Sequence, residues 1–331
     1  MDNVRPIIVV ALIISLGFLV IVLKFPMSSE KREEITNFIN GEDIPVEITE
    51  DYDGAKVPPA KLLRGCPNKD CIPSIDEPEF QTVKEANVWL EDNDKVFGLN
   101  YKGEAKAYPQ RILNWHELVN DVVADDPIAV AFCPLAGTPT AFIRKINGTT
   151  SDFGISGYLY KSNLIMYDRK FGNLWQQVTH EAIIGKAARD DQYLERLNIS
   201  TTTWGQWKAA YPNTVVLKKP LGETRDYDRY PYGSYEENSE VRFGATHTDK
   251  RLHSKDIVYG IRIGETPKAY SEVKINLVGT FEDTVGGQTI VVGKAVDGSV
   301  VIKNKATGEQ HYAQRSFWFA WVIFNPNTLL Y

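Results

Sequence analysis

The sequence lacks an excess of basic residues and is poor in cysteine. Lysine and arginine number 37 against 43 aspartates and glutamates, for a formal net charge of -6 in 331 residues. This balance leaves no broad basic patch, which disfavours a nucleic acid backbone as the main partner. Of the three cysteines, Cys133 stands far from the other two. A single thiol can neither cycle as a disulfide nor chelate a soft metal by itself, so dithiol oxidoreductase chemistry is disfavoured.

The N-terminus is an apolar segment with no charged residue from position 6 to position 23. Its length is close to the lower limit for a helix that spans a bilayer, about 17 residues. A cleaved signal peptide is the alternative, but the run is not followed by an Ala-x-Ala-like cleavage site. We therefore predict an uncleaved single-pass anchor at residues 1–27, followed by a polar stalk at residues 28–60.

Two weaker features favour a body outside the cytoplasm. Cys66 and Cys71 flank a short loop that a disulfide can close, and disulfides persist in oxidising compartments. Asn147 and Asn198 each begin an Asn-x-Ser/Thr pattern for N-glycosylation. Unpaired thiols and chance matches are the alternative interpretations. We predict a cell-membrane location, with the membrane as partner through the N-terminal helix and the globular region outside the cytoplasm.

Residues 96–130 recur without a gap at residues 258–292. Positions kept in both copies, such as a Lys-Ala-Tyr run, are interpreted as scaffold. The first copy has His116 and Glu117 where the second has Val and Gly, and Cys133 of the first copy aligns with Ala295. Polar and nucleophilic side chains therefore mark the first copy as the place to look for function.

Beyond the stalk, short runs of β-branched and aromatic residues are divided by Gly, Asp and Pro. This spacing is typical of antiparallel sheets. Helical spacing occurs at VKEANVWLEDND, ILNWHELVND and TTTWGQWKAAYP. The predicted class is mainly β (α+β), with two internally repeated β units, a few short helices and the N-terminal transmembrane helix. The predicted globular region at 61–331 comprises copy one at 96–150, a tyrosine-rich middle segment at 151–256 and copy two at 257–331.

His116 and Cys133 lie on adjacent segments of copy one. A His with a Cys can help to bind copper or zinc, or can act as base and nucleophile. Tyrosine rings of the middle segment suit the lining of a cleft, because each ring keeps a hydrogen-bonding tip. The alternatives are a buried hydrogen-bonding histidine, an inert core thiol, a structural aspartate and core tyrosines. The candidates for ligand or metal binding are His116, Cys133, Glu117, Asp168, Tyr158 and Tyr160.

Four long motifs make the chain resemble a known family: NWHELVND, AVAFCPLAGTPTAF, FGISGYLYKSNLIMYDRKFGNLWQQ and TTTWGQWKAAYPNTVVL. They are similar to domain-of-unknown-function family 3179, whose members are bacterial or archaeal and often exported or anchored. The resemblance spans roughly residues 61–315 and implies no particular chemistry. Members often have a second cysteine where this chain has Ala136, and Gly where it has Cys71 and His180.

These observations lead to three functional hypotheses. The first is a membrane-anchored domain that binds a ligand near His116 and Cys133, with copper or zinc as candidate cofactors. The second is a cell-surface structural or interaction module without a small-molecule site, which has a protein partner. The third is a hydrolase or transferase with Cys133 as nucleophile.

Overall fold

A computed structural model of the chain describes residues 54–220 and 225–331. The predicted anchor at residues 1–27 lies outside these ranges, as does the predicted stalk up to residue 53. Within the described ranges, no helix is both long and apolar enough to cross a bilayer.

Short strands dominate the described residues, which confirms the predicted mainly β class. Their pairing is mainly antiparallel, as the runs of alternating apolar residues indicate. The strands are β1 (Leu63–Arg64), β2 (Phe80–Gln81), β3 (Lys95–Tyr101), β4 (Glu104–Pro109), β5 (Leu118–Val123), β6 (Asp126–Cys133), β7 (Thr138–Ile143), β8 (Lys145–Ile146), β9 (Thr149–Thr150), β10 (Phe153–Tyr160), β11 (Asn163–Asp168), β12 (Leu174–Gln176), β13 (Ala182–Ile184), β14 (Arg196–Leu197), β15 (Ser200–Thr203), β16 (Val215–Leu217), β17 (Ile257–Ile263), β18 (Thr266–Ser271), β19 (Phe281–Val285), β20 (Gln288–Lys294), β21 (Val300–Asn304), β22 (Gln314–Phe317) and β23 (Leu329–Leu330).

Six short α-helices accompany the strands in the described part of the chain, as predicted. They are α1 (Val83–Ala86), α2 (Gln110–His116), α3 (Lys186–Arg189), α4 (Trp204–Ala210), α5 (Glu272–Val278) and α6 (Trp318–Phe324). A 3-10 turn occupies Pro59–Lys61. Thr82 and Glu85 form a capping box at the start of α1, and the Thr203 side chain caps α4. These caps satisfy backbone N–H groups that a helix leaves without an internal partner.

The order of elements β3, β4, α2, β5 and β6 recurs as β17, β18, α5, β19 and β20. Both copies begin with an antiparallel hairpin in the same register: Val96 pairs with Pro109, and Val258 pairs with Ser271. Each hairpin runs directly into a helix of two turns, which leads to a second hairpin. The ungapped stretch of sequence therefore folds twice in the same way.

Each copy also has a second part, which an ungapped comparison of the sequence misses. The unit β15, α4 and β16 completes the sheet of copy one, and β22, α6 and β23 complete that of copy two. Trp207 and Trp321 donate their indole N–H groups to Thr214 and Thr328. The intervening chain differs in length between the copies, so this correspondence lies at a different offset along the sequence.

The shared Lys-Ala-Tyr run holds an aspartate on the next hairpin. Lys106 Nζ and Tyr108 Oη lie 3.1 and 2.6 Å from the Asp121 carboxylate. The equivalent aspartate of copy two lies 2.5 Å from the lysine and 2.7 Å from the tyrosine. These positions are therefore kept because a largely buried charge needs both an ionic and a hydrogen-bonding partner.

Copy one carries an elaboration, strands β8 to β14, that covers one face of its second hairpin. The sheet β1-β10-β11-β12-β13 packs there through Phe153 and Trp175, in one apolar cluster with Cys133. Side chains of a strand alternate between faces, so Phe132 lies in a different cluster, with Tyr108. The end of β6 is thus enclosed on both faces, and Cys133 belongs to the side covered by the elaboration.

Candidate functional site

Cys133 ends β6 and is 1% exposed. Its thiol lies 3.7 Å from the carbonyl oxygen of Ser162, to which it donates. Burial raises the pKa of this thiol to about 12, and the nearby Glu117 carboxylate adds to the rise. Three backbone N–H groups point to the sulfur and partly offset this rise in the thiol pKa. They belong to Ala136, Leu164 and Leu135.

Glu117 follows α2 in a left-handed conformation, with φ of 58°. Its N–H closes the helix on Leu113, and its carbonyl accepts from the N–H of Phe132, at the end of β6. This turn directs the carboxylate to the covered side of the hairpin, where it is 5% exposed. Burial raises the Glu117 pKa to about 7, against the lowering effect of a hydrogen bond from Tyr232.

His116 is also buried but has other neighbours. Its Nδ1 lies 2.8 Å from the Pro73 carbonyl and its Nε2 lies 2.8 Å from the Tyr227 hydroxyl. Tyr227 belongs to the apolar cluster of Phe132 and not to that of Cys133. Glu117 is therefore near enough to raise the pKa of the thiol, whereas the His116 ring nitrogens bind Pro73 and Tyr227.

Residues 225–235, here called the tyrosine strap, lie across these side chains. The structure describes all of residues 225–256 and assigns no helix or strand to them. Tyr230, Tyr232 and Tyr235 are all close enough to Cys133 for its charge to raise their pKa values further, beyond the effect of burial. The strap's hydroxyl contacts join Tyr227 to His116 Nε2 at 2.8 Å, Tyr232 to Glu117 Oε1 at 2.5 Å and Tyr235 to the Leu135 carbonyl at 3.0 Å.

The strap is fixed at both ends. Near its start, the Trp115 indole N–H donates to the Arg229 carbonyl at 3.1 Å. At its end, the Lys255 ammonium lies 3.6 Å from the centre of the Tyr235 ring and donates to the Tyr235 carbonyl at 3.1 Å. Burial lowers the Lys255 pKa to about 8. The strap is thus irregular in backbone but held in place by one side chain of copy one, Trp115, and by Lys255, just before copy two.

The remaining candidates lie elsewhere. Asp168 is fully buried and accepts hydrogen bonds from Asn173 and Trp175, which is a structural arrangement at the end of β11. Tyr158 stacks with Arg64, and Tyr160 packs against Phe324. The tyrosines of the strap belong to the middle segment that the sequence predicts to line a cleft, but nothing in the sequence distinguishes them from its other tyrosines. Only the tertiary fold distinguishes them, because Tyr232 and its partner Glu117 are 115 residues apart.

Cys66 and Cys71 are joined in a disulfide. Asn147 lies exposed in the turn between β8 and β9, and Asn198 lies exposed after β14. Residues 54–220 and 225–331 contain no group of three or more His, Cys, Asp or Glu side chains that could hold a metal ion. Binding of copper or zinc stays a prediction.

Copy two has an apolar counterpart of this site. At the end of α5, Leu277 is 80% and Val278 is 43% exposed, and Gly279 stands where copy one has Glu117. The strap covers the matching end of α2. The buried carboxyl and the thiol therefore belong to copy one, and the strap that covers them belongs to the middle segment.

The strand-rich repeat fold with a buried carboxyl and thiol beneath a tyrosine strap defines a class of protein without an assigned reaction. The model of the family described as "Protein of unknown function (DUF3179)" matches residues 69–328, and the chain belongs to this family. No curated protein matches the chain. No solved structure matches it either.

Proposed function

We propose that this protein is a membrane-anchored, extracytoplasmic protein that binds a small polar ligand at Glu117 and Cys133, beneath the tyrosine strap. The observation that carries the proposal is the contact between Tyr232 and Glu117, because it links the strap to a buried carboxyl whose pKa is raised to about 7. A carboxyl with such a pKa can donate or accept a hydrogen bond near neutral pH.

The donors at the site indicate the ligand's chemistry. Protonated Glu117 offers an O–H group, and the turn after Cys133 offers the N–H group of Leu135, whereas the N–H of Ala136 donates to the Cys133 carbonyl. Tyr232 is half-buried and hydrogen-bonded to Glu117, so a ligand would have to displace it to reach these donors. A carbonyl or amide oxygen is the acceptor that fits them, so the proposed ligand is a small neutral molecule that carries such a group. A nucleophilic role for Cys133 is less favoured, because a pKa of about 12 leaves little thiolate at neutral pH.

A thermal-shift screen of small amides and carbonyl compounds tests the proposal on the full chain in non-ionic detergent. We expect a stabilising compound whose effect is lost in Glu117→Leu and in Leu135→Pro, which removes one N–H group. Glu104→Gln, at a partly exposed side chain of β4, is the matched control and should keep the effect. A compound that stabilises the Glu117→Leu variant as much as the wild type would refute this site.

The proposed location is supported by the Cys66–Cys71 disulfide. Cys71 is exposed, so it can be labelled after reduction. We expect a membrane-impermeant maleimide to label Cys71 on intact cells or spheroplasts after mild reduction, and Cys71→Ser to remove most of the signal. Labelling that requires lysis of the cells would place the domain in the cytoplasm.

A protein-interaction module is the second candidate, favoured by the exposed apolar face of α5 that Val273 and Leu277 form. Val273 and Leu277 are 72% and 80% exposed, whereas the matching Arg111 and Trp115 of copy one contact the strap. We propose that a tyrosine-containing segment of a partner protein covers this face of α5 as the strap covers α2. A photo-reactive residue at position 277 should crosslink one defined protein in native membranes. The same residue at exposed position 309 is the control, and equal crosslinking at both positions would refute the interaction.

A further inference from the structure

A cleft of about 200 Å³ lies away from the candidate site, between the elaboration of copy one and the sheet of copy two. Arg196 lines it from β14, and Arg262 lines it from β17. Trp321 and Phe324 of α6 form its apolar wall. Neither Glu117, Cys133 nor any residue of the tyrosine strap lines this cleft.

The cleft is positively charged. No aspartate or glutamate is among its lining residues. Arg196 donates to the Thr179 carbonyl at 2.8 Å and lies 5.1 Å from the centre of the Tyr312 ring, contacts that leave its charge without a carboxylate partner in the described part of the chain. Arg262 donates to the Asn325 amide at 2.8 Å, and its ion pair with the fully exposed Glu265 is long, at 3.9 Å. Such a loose, solvated pair neutralises little charge.

A buried hydroxyl also lines the cleft without a partner. Ser316 is 1% exposed, and its Oγ forms no hydrogen bond within the residues that the structure describes. The matching hydroxyl of copy one, on Thr202, donates to the Asp297 carbonyl. Burial of a hydroxyl without a partner costs free energy, so the position in copy two is unusual for a purely structural serine.

We propose that this cleft binds a small organic carboxylate with an apolar or aromatic body. The carboxylate lies between the two guanidinium groups and accepts a hydrogen bond from Ser316, which supplies charge-assisted contacts. The body of the ligand packs against Trp321 and Phe324. A volume of about 200 Å³ suits a molecule of the size of one substituted ring. Many small-molecule sites have this combination of an apolar wall and a few convergent polar groups.

Titration calorimetry with benzoate, on the full chain in non-ionic detergent, tests the proposal. We expect saturable binding that weakens as sodium chloride is added, and no binding of benzyl alcohol, which has a similar shape without the charge. Arg196→Gln and Arg262→Gln should each weaken binding roughly tenfold, and Ser316→Ala should weaken it several-fold. Arg64→Gln, remote from the cleft, is the matched control and should bind benzoate as the wild type does.

Near-ultraviolet circular dichroism of each variant verifies that it is folded, and both arginines are exposed enough to be replaced without a buried gap. Equal affinity of the wild type and an Arg196→Gln/Arg262→Gln double variant would overturn the proposal, as would the absence of benzoate binding at millimolar concentration. The result is independent of the Glu117 site, because Glu117→Leu should leave benzoate binding unchanged.

Discussion

The hydroxyl of Tyr232 lies 2.5 Å from a carboxylate oxygen of Glu117, which precedes it by 115 residues. Glu117 owes its position to a left-handed turn after α2, and Tyr232 owes its position to a strap that is anchored near Trp115 and Lys255. This contact gives the buried Glu117 carboxyl a hydrogen-bond donor but no positively charged partner. The properties of this carboxyl can therefore be measured directly.

Glu117 should make stability depend on pH. Its pKa is about 7 in the folded protein against an ordinary value of 4.5, so the folded state binds the proton more tightly. The free energy of unfolding should therefore fall as pH rises from about 4.5 to 7, and Glu117→Gln should remove this part of the dependence. The difference between wild type and variant should change by roughly 2 to 3 kcal/mol between pH 5 and pH 8 in urea unfolding.

The Tyr232→Phe variant tests the same carboxyl through a further rise in its pKa. The lost hydrogen bond normally lowers the Glu117 pKa, so its removal should move the stability change to higher pH. A transition at the wild-type pH in Tyr232→Phe, or a wild-type pH profile in Glu117→Gln, would contradict the assignment.

Cys133 should react slowly in the native protein. A pKa of about 12 and an exposure of 1% predict modification by a disulfide reagent at pH 8 at least about a thousandfold slower than for a free thiol. Unfolding with the disulfide intact should release one fast thiol per chain, measured by absorbance of the leaving group. Tyr232→Ala should accelerate the native reaction, because it opens the strap. Fast reaction of the folded wild type would show that Cys133 is accessible.

The two scaffold aspartates should differ in importance. Asp121→Asn removes one partner of an ion pair in which both side chains are at most 9% exposed, and should destabilise by about 3–5 kcal/mol. The equivalent Asp283→Asn affects a more accessible pair, with side chains 13% and 15% exposed, and should cost less. Urea unfolding of both variants gives the ranking, and a larger effect at Asp283 would contradict it.

Gly98 should tolerate no side chain. A Cβ atom there would lie 2.2 Å from the Trp207 ring, which is fully buried and hydrogen-bonded to Thr214. Gly98→Ala should therefore destabilise by about 3 kcal/mol. In a double-mutant cycle, Trp207→Leu should cost less in the Gly98→Ala background than in the wild type. Additive effects of the two changes would show that the ring does not limit this position.

Local features of the sequence account for much of the fold. Short β-branched runs form the strands, and the helices α1 and α4 lie within the stretches of helical spacing. Helix α2 overlaps the stretch ILNWHELVND only at residues 112–116, because residues 118–121 of that stretch belong to β5. The ungapped repeat follows directly from matched residues. An ungapped comparison misses the second part of the repeat, because the chain between the two parts is longer in copy one. The shared tryptophans are therefore separated by a different number of residues from the first part of each copy. Sequence comparison at one offset cannot detect such a correspondence.

The sequence and the tertiary structure contribute differently to the candidate site. The sequence by itself determined the strand-rich class, the repeat, and copy one as the part that carries polar and thiol side chains, but it left open whether Cys66 and Cys71 are bonded. Only the tertiary structure decided that Glu117 lies near Cys133 and that His116 binds Pro73 and Tyr227. It also decided that the strap covers Glu117 and His116. The physical reason is that periodicity depends on neighbours a few residues apart, whereas burial, pKa and the pairing of distant side chains arise when separate segments pack together.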